Sequence, residues 1–213
     1  MKSILRKAQY WITHPSYAAN RAILASGYDY GQWSRVVMDQ EIFGMLASLP
    51  TANMRAMEIS PNPTGSRWAA ANFESFKDVH YPEFDICCDQ LDDKFDIIIA
   101  DQVFEHLKYP YRAAKNIYEM LAPGGFFLNT TPFLIRHHAN PDDYSRWTEL
   151  GMTYFLEESG FSAEQTQTGS WGNRKCVVAN LHKTRWASFG WGKPINNEPE
   201  FPVVVWALAQ KES

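Results

Sequence analysis

The sequence has 213 residues, of which 45% are hydrophobic and 21% are charged, and its formal net charge is −4. This length suits a single α/β domain, and the apolar content excludes intrinsic disorder. The weak negative charge and the absence of Lys/Arg runs argue against a nucleic-acid partner, because such a partner requires a basic surface. No apolar stretch approaches the roughly 20 residues of a membrane span, and no signal peptide is apparent.

The cysteines give no sign of a disulfide framework or a metal site. Only Cys87, Cys88 and Cys176 are present, and none forms a C-x-x-C pair. The first two stand in an apolar run, which is typical of small core residues in a reducing compartment. We therefore expect a cytoplasmic protein with no membrane partner and no bound metal.

The first part of the chain has helical periodicity. From residue 1 to about residue 50, apolar residues recur at the spacing of a helix face, as in Ile42, Met45, Leu46 and Leu49. This pattern predicts two or three helices. We expect residues 1–50 to form a helical cap on an α/β domain of residues 51–213, the two together making one structural unit.

Strand and helix patterns alternate along the rest of the chain. Short apolar runs predict strands at residues 57–60, 84–88, 95–100, 126–131 and 202–206. The run at 95–100 lacks alternation, as expected of a parallel strand buried on both faces. Helices are predicted from Pro110 to Leu121 and from Thr148, a plausible N-cap, to Gly160, a plausible C-terminal cap. This order predicts an α/β fold with a doubly wound, mostly parallel sheet.

The first predicted strand runs into the turn Glu58-Ile-Ser60-Pro-Asn62-Pro-Thr64-Gly65. In an open α/β sheet, ligands bind at the carboxyl ends of the strands, so this turn is where a nucleotide-like cofactor would be held. Such turns are usually rich in glycine because the backbone approaches the ligand closely. Here Ser60, Asn62 and Thr64 replace most of the expected glycines, and an ordinary turn after a core strand explains the segment equally well.

A longer pattern is more specific. The segment Phe95–His106 reads FDIIIADQVFEH, and it is followed by a predicted helix and by Pro123-Gly124-Gly125 before the next strand. These residues resemble the core of class I S-adenosylmethionine-dependent methyltransferases of the type 11-like group, which carry an FD-plus-apolar strand, a V-x-E-H segment and a helix ending in L-x-P-G-G. The resemblance covers about residues 54–161 and the final strand. It implies a Rossmann-like fold, S-adenosylmethionine as the cofactor, and methyl transfer.

The resemblance also implies a set of cofactor contacts. The turn would face the methionine part of the cofactor, and acids after the following strands would hold the ribose and the adenine. An acid for the ribose is Asp78, with Glu74 as the alternative. The implied cofactor-binding residues are Glu58, Ser60, Pro61, Asn62, Asp78, Asp89, Gln90, Asp101 and Gln102. A loop cap or a solvated charge is the structural alternative for any one of these acids, and their order along the chain favours the cofactor role.

The loop of residues 130–147 is polar, aromatic and long, which favours a functional role. Its pattern D-Y-x-R-W-T also looks like methyltransferases of this class, in which the loop closes over the substrate. We expect Asp143, Tyr144, Arg146, Trp147 and Trp171 to bind substrate, and His106, His137 and His138 to be the candidate catalytic bases. A simple Asp143–Arg146 pair that holds the loop, and a Trp171 that anchors an irregular segment, are the structural alternatives.

The sequence therefore predicts methyl transfer to a small-molecule acceptor. An oxygen acceptor on a sugar or a secondary metabolite is favoured, because histidine has a pKa suited to taking a hydroxyl proton. One alternative is an inactive methyltransferase-like binding or scaffold protein, motivated by the glycine-poor turn. Another is a nucleotide-sugar or dinucleotide enzyme, against which the absence of G-x-G-x-x-G counts. The oligomeric state is left open.

Overall fold

The computed structural model describes residues 32–61, 66–182, 186–189 and 193–213. The helices predicted before residue 32 lie outside these ranges. The strands are β1 (Arg55–Ile59), β2 (Ser75–Val79), β3 (Phe95–Asp101), β4 (Leu121–Pro132), β5 (Thr166–Trp171) and β6 (Val204–Gln210). The α-helices are α1 (Val36–Ala47), α2 (Pro110–Met120), α3 (Glu149–Glu158) and α4 (Arg174–Asn180). Short 3-10 helices cover Trp33–Arg35, Thr51–Asn53, Trp68–Ala71, Phe104–His106 and Ala163–Gln165.

The six strands form one mixed sheet in the order β2-β1-β3-β4-β6-β5. The first four strands are parallel, while β6 runs antiparallel to both β4 and β5. The predicted α/β fold with a doubly wound, mostly parallel sheet is confirmed. In the sheet, β2 lies on one side of β1 and β3 lies on the other side. The carboxyl ends of β1 and β3 therefore flank the point at which the strand order reverses, which is where such sheets bind ligands.

Both faces of the sheet are covered, as the unbroken apolar run of β3 predicts. Ile98 of β3 packs into a buried cluster with residues of α2 and α3, such as Ile117 and Phe155. Ile97, its neighbour in the strand, points to the opposite face and packs with residues of α1 such as Ile42. Helix α1 is therefore part of the core of the sheet. None of the helices that the structure describes is long and apolar enough to cross a membrane.

The predicted caps of α3 are confirmed. Thr148 Oγ1 accepts a hydrogen bond from the backbone N–H of Gly151 at 3.0 Å, which satisfies one of the free donors of the first turn. At the other end Gly160 has a φ of +113°, a conformation that suits a residue without Cβ. Phe161 then turns back into the core, so both ends of the helix are fixed by the residues that the pattern indicated.

The strand predicted at residues 84–88 is wrong, because this segment forms turns. Asp85 Oδ1 accepts from the N–H of Cys87 at 2.9 Å, and Asp89 Oδ2 accepts from the N–H of Asp85 at 2.7 Å. Short acidic side chains that bond to nearby backbone compete with a strand ladder. The structure also has two strands that the apolar runs did not predict, β2 and β5, and the last strand occupies 204–210 where 202–206 was predicted.

Candidate active site

Asp101, at the carboxyl end of β3, lies in a buried network of charges. Arg35 Nη1 and Arg67 Nε each lie 3.2 Å from its Oδ2, and Thr130 Oγ1 donates a hydrogen bond to its Oδ1 at 2.6 Å. Burial opposes ionisation of this carboxyl, but the two guanidinium groups outweigh it and lower its pKa to about 2. Asp39 of α1 shares Arg67 at 3.1 Å. Asp101 is therefore an ionised and well-paired carboxylate.

Glu105 lies in the 3-10 helix that follows β3, and its environment is different. Its side chain is fully buried, and neither carboxylate oxygen has a hydrogen-bond partner among the residues that the structure describes. Its Oε1 lies 3.6 Å from Nε2 of His106 and 4.0 Å from Nε2 of His138. Burial raises the pKa of Glu105 to about 8. An acid whose oxygens form no hydrogen bonds with the described residues therefore lies beside two imidazoles.

The loop after β4 folds back to bring His138 to this place. The N–H of Tyr144 donates to the carbonyl of Glu105 at 2.7 Å, and His106 Nδ1 donates to the carbonyl of Asp142. His138 is held in turn by its own N–H, which donates to Asp143 Oδ2 at 2.8 Å. The rings of His106 and His138 then meet edge to face, with 4.9 Å between their centroids.

The hydrogen bond from His106 fixes its tautomer. A backbone carbonyl only accepts hydrogen bonds, so the proton must be on Nδ1. In the neutral ring Nε2 then carries a free lone pair, and this is the atom nearest Glu105. The pKa of His138 is lowered by burial and by the neighbouring His106. A lowered pKa favours the neutral form of His138, so its ring also offers a lone pair.

These three side chains line a cavity of about 290 Å³ at the carboxyl edge of β3 and β4. Its lining includes both apolar side chains and hydrogen-bonding groups. The remaining lining residues are Gln32, Ser34, Arg35, Gln102, Pro132, Ile135, Asn140, Trp186, Val203 and Val204. The cavity therefore combines a titratable cluster with space for a compact molecule.

Asp143 and Arg146 pair with each other. Arg146 Nη2 donates to Asp143 Oδ2 at 2.6 Å, and Nη1 donates to Oδ1 of the same side chain. Burial raises the pKa of Asp143, but the hydrogen bonds from Arg146 and from the N–H of His138 outweigh this and lower it to about 2. The pair thus holds the loop segment that carries His138.

The other residues expected to bind substrate, and one candidate base, lie outside the lining of this cavity. Tyr144 is half exposed, and its hydroxyl donates to Asp142 Oδ2 at 3.1 Å. Trp147 packs on Phe155, while Trp171 is buried in the core and donates from Nε1 to the carbonyl of Ile195 at 3.0 Å. His137 is exposed.

The residues expected to meet the cofactor divide into two groups. At the carboxyl end of β1, Glu58 is buried with Oε2 unpartnered among the described residues, and burial raises its pKa to about 7. Its register partner in β2 is Asp78, whose largely exposed side chain bonds to His80 at 2.9 Å. Ser60 has a φ of +49° and Pro61 is buried beside it.

The second group follows the 84–88 segment and β3, and its side chains already form hydrogen bonds with neighbouring residues. Asp89 accepts from the N–H of Asp85, and Gln90 Nε2 donates to Asn116 Oδ1 of α2 at 2.8 Å. Gln102 has a φ of +59° and donates from Nε2 to Thr130 Oγ1 at 3.1 Å, while Asp101 is held as described above. Asn62 lies outside the described residues.

Sequence reasoning missed the residue at the centre of the cluster. Glu105 is part of the V-x-E-H segment, and its position directly before His106 was the available signal. Arg35 and Arg67 come from distant parts of the chain, and no local pattern connects them with Asp101.

A family model described as a methyltransferase domain matches residues 17–166, which is most of the chain. The chain belongs to the methyltransferase domain family. It is an S-adenosylmethionine-dependent methyltransferase of the class I fold, as its sequence motifs indicate. No curated protein matches the sequence.

Solved structures share the fold of this methyltransferase. The phosphoethanolamine N-methyltransferase 2 of Haemonchus contortus, in complex with S-adenosyl-L-methionine, gives a TM-score of 0.55 at 12% identity. That match covers 84% of this chain and 53% of the other. A protein of Bacillus halodurans C-125 described as a methyltransferase gives 0.52 at 13% identity, covering 83% of this chain and 100% of the other.

The residues at the carboxyl end of β1 fit the methyl donor of this family, S-adenosylmethionine. Glu58 has a buried carboxylate oxygen without a partner in the described ranges, and Asp78 presents a carboxylate at the same edge. The cofactor carries an amino group and ribose hydroxyls, and carboxylates accept hydrogen bonds from both kinds of group. The positive φ of Ser60 turns the backbone sharply at the same place.

Proposed function

We propose that this methyltransferase transfers a methyl group to an oxygen atom of a small molecule bound in the cavity. The observation that carries the proposal is the convergence of Glu105, His106 and His138 on one wall of that cavity. These three groups accept protons, and a hydroxyl acceptor has a proton to lose. When bound, S-adenosylmethionine supplies an electrophilic methyl group. The residues of the chain must then remove the acceptor proton and position the two reactants.

The size and lining of the cavity support a small acceptor. Its volume of about 290 Å³ is near the lower end of the range for ligand sites. Ile135 and Val203 offer contact to a carbon skeleton, while Gln32 and Asn140 offer hydrogen bonds. A sugar ring or a compact secondary metabolite with a free hydroxyl has this combination of apolar and polar surface.

His106 is the residue proposed to take the acceptor proton. Its Nδ1 proton is committed to the carbonyl of Asp142, so Nε2 is the free base. A positive charge on the protonated ring favours the ionised form of Glu105, whose Oε1 is 3.6 Å from Nε2, and the two opposite charges then stabilise each other. Positioned bases of this kind typically contribute about 10²–10⁴-fold to a rate.

Other residues hold the donor and position the acceptor. Glu58 and Asp78 are proposed to accept hydrogen bonds from the cofactor at the carboxyl ends of β1 and β2, with Ser60 and Pro61 forming the adjacent turn. Gln102 follows β3 and lines the cavity, so it stands between the donor side and the acceptor. Holding two reactants in line, with water excluded, supplies much of the rate of a direct displacement.

The experiment combines a screen for acceptors with a variant in which a larger side chain fills the cavity. Hydroxylated small molecules are incubated with the enzyme and S-adenosylmethionine, and methylated products are identified by mass spectrometry. Ile135→Trp is expected to abolish turnover of the acceptor found, because the larger side chain fills the cavity. Leu134→Trp, which changes the neighbour outside the cavity lining, is the matched control.

Binding of S-adenosylmethionine, measured by calorimetry, is expected to be the same in both variants and in the wild type. Turnover that survives in Ile135→Trp at the wild-type rate would place the acceptor elsewhere. Products methylated only on nitrogen or carbon would contradict the proposed acceptor atom.

A further inference from the structure

We propose that Glu105, His106 and His138 form a binding site for a divalent transition-metal ion in the wall of the acceptor cavity. One carboxylate oxygen and one nitrogen from each ring lie within 4.8 Å of one another. Nitrogen and carboxylate donors of this kind suit Zn²⁺, Co²⁺, Fe²⁺ and Mn²⁺. A role for the ion in preparing the acceptor rests on the proposed function, whereas its binding rests on the geometry alone.

The distances between the donors are close to those that one ion requires. Two atoms that each lie about 2.1 Å from an ion are at most about 4.2 Å apart. Glu105 Oε1 is 3.6 Å from His106 Nε2 and 4.0 Å from His138 Nε2. Both distances from Glu105 are within this limit, and the two ring nitrogens, which lie within 4.8 Å of each other, need at most a small movement to share the ion.

Glu105 is the strongest reason to expect a cation. Its carboxylate is fully buried and has no hydrogen-bond partner in the part of the chain that the structure describes. An isolated buried charge is costly, so a buried carboxylate normally has a partner. The nearby guanidinium groups are paired with other acids, Arg35 and Arg67 with Asp101 and Arg146 with Asp143. A metal ion would provide the partner that Glu105 lacks.

The group behind the ring of His106 matches those found behind metal ligands. A histidine that binds a metal through one ring nitrogen usually donates the other N–H to a carbonyl or a carboxylate. His106 does so, because its Nδ1 donates to the carbonyl of Asp142 and Nε2 faces Glu105. The backbone of His138 is fixed by Asp143, which is held by Arg146.

The site is open on one side. All three proposed ligands line the cavity, so the remaining positions around the ion face the space for the acceptor. Three protein ligands with an open position are typical of catalytic metal sites. With the ion bound, Nε2 of His106 would be a ligand and no longer a free base, and the ion would take over its task. An acceptor hydroxyl that coordinates the ion would lose its proton to water more readily, and its oxygen would then form the bond to the methyl carbon as the carbon–sulfur bond breaks.

The test measures metal binding directly and needs no acceptor. The full chain is treated with a chelator, dialysed, and titrated with Co²⁺ while its visible absorption is recorded, and Zn²⁺ binding is measured by calorimetry. We expect one ion for each chain. Glu105→Gln and His138→Gln should each weaken binding at least tenfold, whereas His137→Gln, which changes an exposed neighbour, should not.

Thermal unfolding of the metal-free variants shows whether each is folded. Absence of Co²⁺ and Zn²⁺ binding at millimolar concentration would overturn the proposal, and so would equal affinity in all four proteins. Calorimetry with S-adenosylmethionine separates this result from the proposed function. Donor binding without metal binding would defeat only the metal site, and metal binding without donor binding would defeat only the proposed function.

Discussion

Asp101, at the end of β3, and Glu105, in the 3-10 helix that follows it, are both buried acids, but only Asp101 is paired with cations. Asp101 is paired with Arg35 and Arg67, and its pKa falls to about 2. Glu105 has no hydrogen-bond partner among the described residues, and its pKa rises to about 8. Burial acts on both carboxyls in the same direction, so the cations near Asp101 make the difference.

This difference separates structural from chemical roles. The Asp101 carboxylate holds two buried cations at the end of β3: Arg35, in the 3-10 helix before α1, and Arg67. Its removal leaves Arg35 without its acidic partner and Arg67 with only Asp39. An unpartnered carboxylate beside a cavity is available to a ligand, a proton or a metal ion. The Asp101 network is therefore expected to govern stability, and the Glu105 cluster to govern activity.

The largest effect is expected from Asp101→Asn. Breaking this buried ion pair should lower the free energy of unfolding by about 3–5 kcal/mol, measured by denaturation with urea. The matched control is Asp96→Asn in the same strand, where the Arg55 partner is half exposed. An exposed pair contributes about 0–1 kcal/mol, so the control should change little. Equal losses in the two variants would remove the distinction drawn for Asp101.

Glu105→Gln is expected to lower turnover and to leave stability intact. Turnover is expected to fall about a hundredfold or more, because the glutamine amide can neither exchange a proton nor carry a negative charge beside His106. The free energy of unfolding should be unchanged or higher, since no hydrogen bond of the carboxylate is lost. The two quantities are measured on the same preparation. A stability loss as large as that of Asp101→Asn would assign Glu105 to the framework.

His138→Gln and His137→Gln compare two neighbours in one loop. His138 faces Glu105 and the cavity, whereas His137 is exposed. We expect about a tenfold or larger fall in turnover for His138→Gln and a much smaller change for His137→Gln. Initial rates at saturating S-adenosylmethionine provide the comparison. A larger fall in turnover for His137→Gln than for His138→Gln would place the acceptor on the exposed side of the loop.

The smallest effect concerns the affinity for S-adenosylmethionine as a function of pH. The pKa of Glu58 is raised to about 7 by burial, with Arg67, Asp78 and Asp101 among the charges around it. Its carboxylate is needed to accept hydrogen bonds, so affinity should fall as the pH falls below 7, by at most about tenfold for each unit. Calorimetry between pH 6 and 8 measures this. In Glu58→Gln the dependence should be flat, and an unchanged slope would exclude Glu58 as its cause.

The fold was predictable where local pattern and environment agree. The apolar run of β3 and the caps of α3 at Thr148 and Gly160 depend only on residues close together in sequence, so the sequence predicted both correctly. Strand β5 was missed because its sequence, TQTGSW, is polar and only its last residue is fully buried. The segment 84–88 looked like a strand, but Asp85 and Asp89 close it into turns.

The candidate site was only partly predictable for a different reason. The motif containing His106 indicated the right end of β3. The meeting of Glu105 with His138, however, depends on the loop after β4 returning to the 3-10 helix, through bonds such as Tyr144 N–H to the Glu105 carbonyl. Contacts between residues so far apart in sequence leave no periodic signal.

The central claim is that the Glu105 cluster prepares an acceptor oxygen, and the most direct test is to identify the methylated atom. The wild type and Glu105→Gln are incubated with acceptor and with S-adenosylmethionine carrying ¹³C in its methyl group, and the products are examined by NMR. We predict an O-methyl product that forms in the wild type and is nearly lost in Glu105→Gln. A product methylated on nitrogen or carbon, formed at equal rates by both proteins, would contradict the claim.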